Sequence, residues 1–264
     1  MLGHRTAAVL LAALALLAVG CAAGPKPEPQ AEFAAAQSAF GYDLAATKDI
    51  APVVPSEWHA FLIAGSTLQR VFDNFVADFG NALASQGVEV RRFSSRSPLP
   101  AGTELAIQAR IRASAPPSPA RDAGCLIYVT SHGTPGFLFM TADWLAEMVA
   151  ILCGERPTVI VLSGCYAGSL FTGRVPAENR IVIAAARKDR RSFGCTNDRY
   201  LNNFDQCFLD SWRWARNWPG LFDATFDCVR WTEPRGYDPP SEPQAFFGRD
   251  TAGLTLPGKR RAGD

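Results

Sequence analysis

An open α/β fold, with a mainly parallel sheet held between helices, is predicted by three features of the sequence. Five short runs rich in β-branched and aromatic residues begin near positions 58, 88, 124, 158 and 180. The run Thr158-Val159-Ile160-Val161-Leu162 is apolar without alternation, as strands buried on both faces are. Between the runs lie segments with apolar residues at helical spacing, and strands alternating with helices imply parallel pairing through right-handed crossovers. At 264 residues and 48% hydrophobic, the chain suits one such domain with extensions.

The N-terminal extension comes first. Residues 1–5 are short and positive, 6–19 are Ala/Leu-rich but too short to span a bilayer well, and Ala18-Val19-Gly20 precedes Cys21. This predicts a secretory signal over 1–20. Pro25, Pro27 and Pro29 alternate with polar residues and predict an extended tether over 21–55, with a short helix near 34–46. The end of the signal resembles the lipobox of bacterial lipoproteins. That resemblance implies a lipid on Cys21 and a membrane anchor facing the periplasm, and Ala22 favours outer-membrane sorting. A plain signal peptide, giving a soluble periplasmic or secreted protein, is the alternative.

The folded domain is expected over 56–231. Its first strand runs from Trp58 into Ala64-Gly65-Ser66. Val71, Phe75, Phe79 and Leu83 predict a helix over 70–86, stopped by Gly87. A second strand follows over 88–93, a second helix over 103–113, and a third strand over 124–130. Residues 137–140 suit a short ribbon, and Thr141 is placed to cap a helix running to Cys153. The strand at Thr158 is fourth, and 180–186 is fifth. A polar loop over 187–197 then leads to a helix over 200–217, in which Trp212, Trp214 and Trp218 are expected to cover core rather than form a binding platform. Residues 232–264, rich in Pro, Gly and charge, read as a tail, with Phe246-Phe247 able to dock back.

Positive and negative charges nearly cancel, at a net +1, and no basic run occurs in the body of the chain, so nucleic acid is not an expected partner. Of the seven cysteines, setting aside Cys21 and Cys165 leaves Cys125, Cys153, Cys195, Cys207 and Cys228. An odd remainder leaves at least one thiol unpaired within the chain. Cys207 can pair with Cys228 or with Cys195, and connectivity is open from sequence. No CxxC occurs and the spacings match no zinc pattern, so a metal site is not expected.

Chemistry concentrates at two strand ends. His4 leaves with the signal, and His59 starts its strand, on the rim opposite to that where open α/β sheets bind ligands. His132 follows the third strand and Cys165 the fourth, 33 residues later, which is one crossover. Both side chains should therefore emerge on one rim, although a buried, inert cysteine is the competing reading of Cys165 alone. Gly164 and Gly168 are expected to let the backbone turn sharply. An ordinary thiol is only a few per cent thiolate at neutral pH, and a nearby imidazolium raises that fraction. The N–H groups of Gly133 and Cys165 are placed to receive an oxyanion.

Thr130-Ser131-His132-Gly133 and Ser163-Gly164-Cys165-Tyr166-Ala167-Gly168-Ser169, with Ala64-Gly65-Ser66 and Ser192-Phe193-Gly194-Cys195, resemble the legumain family of cysteine endopeptidases in the caspase-like clan. The resemblance implies a caspase-like three-layer α/β/α sandwich, with Cys165 as nucleophile, His132 as general acid/base, peptides or proteins as substrates, and neither metal nor organic cofactor. It also points to Arg70, Tyr166, Ser192 and Asn203 as pocket residues. Two acids by which eukaryotic legumains read asparagine are replaced, by Tyr166 and Asn203, so asparaginyl specificity is not carried over. A transamidase using the same thioester, and an inactive lipoprotein interaction module, are the alternatives.

Overall fold

The computed structural model describes residues 52–66, 68–94, 109–114, 120–234, 236, 239–251 and 253–258. The expected signal, Cys21, the helix near 34–46 and the last six residues lie outside this set. Its central sheet has six strands: β1 (Trp58–Ala64), β2 (Glu89–Ser94), β3 (Gly124–Thr130), β6 (Thr158–Ser163), β7 (Arg180–Ala184) and β8 (Gln244–Phe247). They lie in the order β2-β1-β3-β6-β7-β8. All pairings are parallel except that of β7 with β8. A hairpin of β4 (Gly133–Thr134) and β5 (Phe137–Leu138) stands apart, where the short ribbon is expected.

Alternation along the buried strands builds two cores, one on each face. Ala60 and Leu62 of β1, Leu126 and Tyr128 of β3, and Val159 and Val161 of β6 face one core. It is closed by α1 (Arg70–Ala84), α3 (Asn203–Trp212) and α4 (Trp218–Thr232). Phe61, Ile63, Ile127, Val129, Ile160 and Leu162 face the other, closed by α2 (Ala142–Leu152) and by Ile111 of a helical stretch at 109–113. The result is a three-layer α/β/α sandwich. Apolar side chains of α1 at 71, 72, 75, 76, 79 and 83 lie along one stripe, and Gly87, at φ 81°, lets the chain leave the helix for β2. Thr141 accepts from the Trp144 N–H and caps α2 as expected.

Three expectations are corrected. The helix anticipated over 200–217 is two helices. Asn217 caps a new one, with its side chain accepting from the Gly220 N–H and Pro219 in the first turn. Trp212 and Trp218 meet in the core with ring centroids 5.8 Å apart and planes tilted by 60°, whereas Trp214 is exposed. The tail expected from 232 onward supplies the antiparallel edge strand β8, and Val53 and Asn217 bridge to Leu254 and Thr255. The bridges are Cys207–Cys228, tying α3 to α4, and Cys125–Cys153, tying β3 to the end of α2. Cys195 does not pair with Cys207; it remains a free thiol, as does Cys165.

Candidate active site

β3 and β6 run side by side with Thr130 opposite Ser163. The Ser131 N–H extends the ladder onto the Ser163 carbonyl at 3.0 Å. Both strands therefore end on one rim, one releasing Ser131-His132-Gly133 and the other Gly164-Cys165-Tyr166. The two exits approach more closely than side chains would permit. A Cβ on Gly133 would lie 2.1 Å from the Cys165 carbonyl oxygen, and one on Gly164 would lie 2.4 Å from that of Ser131. Glycine is required at both positions for backbone to meet backbone. The sharp turn expected of Gly164 and Gly168 is instead made by Tyr166, which is left-handed at φ 58°. That conformation costs a non-glycine residue about 1 kcal/mol. It is held by the Tyr166 N–H donating to the Arg190 carbonyl at 2.7 Å and by Ser169 Oγ donating to the Tyr166 carbonyl at 2.6 Å.

His132 is half-buried. Its ring meets the edge of Phe72 at 5.1 Å, and its Nε2 contacts the side-chain oxygen of Gln69. The Gln69 oxygen accepts, so the contact matches the tautomer with its proton on Nε2, in which Nδ1 carries the lone pair. Burial lowers the pKa of His132 below the usual histidine value, favouring the neutral ring. On the other side of the gap, Cys165 Sγ lies 3.4 Å from the Ser192 carbonyl oxygen. Cys195, three residues further on, is partly buried. Burial, reinforced by Cys165 and Asp205 nearby, pushes its thiol up to about 12. It is a neutral wall of the site rather than a second nucleophile.

Of the four residues expected to form the pocket, two are brought against Cys165. Ser192 touches the thiol, and Tyr166 forms the turn behind it. Asn203 is buried at the start of α3, its N–H donating to the Phe193 carbonyl at 3.0 Å, with side-chain Nδ2 left without a partner. Arg70 is exposed in the first turn of α1, beside Gln69 and thus on the histidine side. His59, at the opposite rim, is held between Glu57 and Glu89. Among the described residues, no group of three or more His, Cys, Asp or Glu could hold a metal ion.

Two further residues take part without having been singled out from sequence. Gln69 occupies the N-cap position of α1 yet makes no cap hydrogen bond with its side chain. Beneath the two exits lies Asp205, fully buried and bonded by Tyr128, Thr130 and Asn202. The signals were a glutamine where a short oxygen-bearing cap is usual, and a carboxylate set into the apolar stripe of α3.

This fold is that of a caspase-like α/β sandwich. The structure of the caspase drICE superposes with a TM-score of 0.51 at 14% identity, covering 83% of this chain and 99% of that one. Protein GSU0716 from Geobacter sulfurreducens gives a TM-score of 0.48 at 12% identity, covering 76% of this chain and 97% of its own. Residues 118–218, which hold His132, Cys165 and Asn203, match the model of the Peptidase C13 family. Family match and fold together support a cysteine-peptidase type of protein in the caspase-like clan. No protein of curated function matches the chain.

Proposed function

We propose that the protein is a cysteine endopeptidase that cleaves peptide bonds through an acyl-enzyme on Cys165. The observation that carries this reading is the convergence of the two strand exits, which brings the His132-Gly133 backbone against the residue bearing a free, half-buried thiol. In the proposed cycle, Nδ1 of His132 takes the thiol proton as sulfur attacks the substrate carbonyl. The N–H groups of Gly133 and Cys165 receive the developing oxyanion, where each oriented donor is commonly worth about a hundredfold in rate. His132 returns the proton to the leaving amine, and water then releases the acyl group. Gln69 holds the ring in the tautomer this requires. Arg70, Tyr166 and Ser192 line the pocket for the residue preceding the cut, with Asn203 buried behind them.

Export, with Cys21 as a lipid anchor facing the periplasm, belongs to the same proposal. Two disulfides in the folded domain suit an oxidising compartment.

A mixed peptide library, incubated with wild type, Cys165→Ala and His132→Ala, tests the assignment. Each variant should lose roughly a thousandfold or more in kcat/KM. Turnover retained by either purified variant overturns the reading. Added amine acceptors that trap ligated product would reassign it to transamidation.

A further inference from the structure

We infer that Asp205 is a positioning residue for the site: one buried carboxylate gathers the ends of β3 and β6 and the first turn of α3, and so sets the gap between His132 and Cys165. Its bearing on catalysis rests on the peptidase reading; its bearing on geometry does not.

The anchoring can be followed atom by atom. Asp205 Oδ1 accepts from Tyr128 Oη at 2.8 Å, and Oδ2 accepts from Thr130 Oγ1 at 2.7 Å and Asn202 Nδ2 at 2.6 Å. Ser163 also hydrogen-bonds the carboxylate. Asn202 returns the contact, its Oδ1 accepting from the Asp205 N–H at 2.8 Å, and its Nδ2 lies 3.4 Å from both Thr130 Oγ1 and Ser163 Oγ. Thr130 stands two residues before His132, and Ser163 two before Cys165. Asn203, next to the cap, binds the Phe193 carbonyl, one residue from the Ser192 carbonyl that receives the thiol. The carboxylate thus binds the ends of β3 and β6 directly and is linked to the Ser192-Phe193 segment through Asn203.

The chemistry of this anchor is unusual for a core. A buried carboxylate is normally matched by a cation, yet the partners here are hydroxyls and an amide. Well-packed apolar side chains would fill the same space with less desolvation. What neutral donors around a single anion provide is direction: all of them converge on one acceptor group, and moving any of them weakens a buried hydrogen bond. The titratable groups facing the carboxylate are Tyr128 and Cys195, both shifted upward by burial and by the carboxylate itself, so neither supplies positive charge.

The test compares Asp205→Asn, Tyr128→Phe and the double variant with Thr225→Val, which removes a buried hydroxyl in α4 that bonds Leu221. Three quantities are read: melting temperature, the rate of Cys165 alkylation by iodoacetamide at pH 7, and kcat and KM on the best library peptide. Asp205→Asn should lower kcat roughly ten- to a hundredfold with KM little changed, because small misplacements of reacting groups have effects of that size. Alkylation should slow by roughly fivefold as the imidazole and thiol separate. Tyr128→Phe alone should give smaller losses in both, and should add little to Asp205→Asn, in which the anionic acceptor is already gone and only a neutral amide oxygen remains. Thr225→Val should change melting temperature but neither rate. A folded Asp205→Asn protein with kcat and alkylation within about twofold of wild type, or with a change in KM alone, overturns the inference. If Asp205→Asn does not fold, Tyr128→Phe is judged by the same criterion against Thr225→Val. If wild type cleaves no peptide, alkylation still decides the positioning role, and the peptidase reading fails separately.

Discussion

Gln69 sits at a helix N-cap, where Ser, Thr, Asp or Asn would satisfy a free backbone N–H, and its side chain makes no such bond. Its oxygen is turned instead to His132 Nε2. A residue that forgoes a local stabilising contact to orient a histidine is the pattern expected where function overrides helix chemistry. Gln69→Ser should therefore separate the two roles. The hydroxyl restores a cap worth about 0.5–1 kcal/mol, raising the urea midpoint, while kcat falls by roughly tenfold or more because the ring loses its orienting acceptor. Stability and activity falling together would show Gln69 to be merely structural. His132 and Cys165 were legible in the sequence because each follows an apolar run and is joined to glycine. Gln69 was not, because its contact with His132 spans 63 residues and depends on the reach of one side chain. Tyr166 was hidden for a different reason: glycines stand on both sides of it, and they serve close approach rather than the turn.

At the scale of elements, the buried parallel strands announced themselves, since β1, β3 and β6 are apolar on both faces. The elements that were missed carry weaker signals. α4 begins at Asn217-Trp218-Pro219, a good start motif, but the tryptophans on either side of the break continue the apolar pattern of α3 and mask it. β8 is four residues long and preceded by Pro240 and Pro243, which favour a tail reading but lie outside the strand and cost it no ladder hydrogen bond. Its contribution is nonetheless large. Phe247 is 4% exposed and packs in the α1–α3–α4 core, against Phe222, whereas Phe246 is only partly buried on the other face. Phe247→Ala should lower unfolding free energy by about 3–5 kcal/mol, and Phe246→Ala by distinctly less. Urea titrations of the two variants check this, and equal losses would show that β8 is held by its backbone bonds rather than by its buried face.

For the whole molecule, a carboxylate at the centre of the site makes stability depend on pH in an unaccustomed direction. Burial raises the Asp205 pKa from the ordinary aspartate value of 3.8 to about 6, against the opposing effect of its hydrogen bonds to Ser163, Thr130, Tyr128 and Asn202. The folded state therefore holds a proton that the unfolded chain gives up between those two values. The stabilisation is fully present below the unfolded pKa, declines through the window from about 4 to 6, and is gone once pH rises past the folded value. His132 works the other way: its pKa is lowered by burial, so its contribution is present above the ordinary histidine pKa and is lost as pH falls through the folded one. A single pH–stability curve mixes the two, and a difference between variants separates them. Asp205→Asn keeps His132 and removes the titrating carboxyl. The stability of wild type minus that of Asp205→Asn should therefore rise by about 2 kcal/mol between pH 7.5 and 4.5, as linkage gives for a shift of this size. Urea titrations at the two pH values measure it. A difference that stays constant would mean that Asp205 does not take up its proton in this range, and that the hydroxyls of Tyr128, Thr130 and Ser163 hold it ionised well below neutrality.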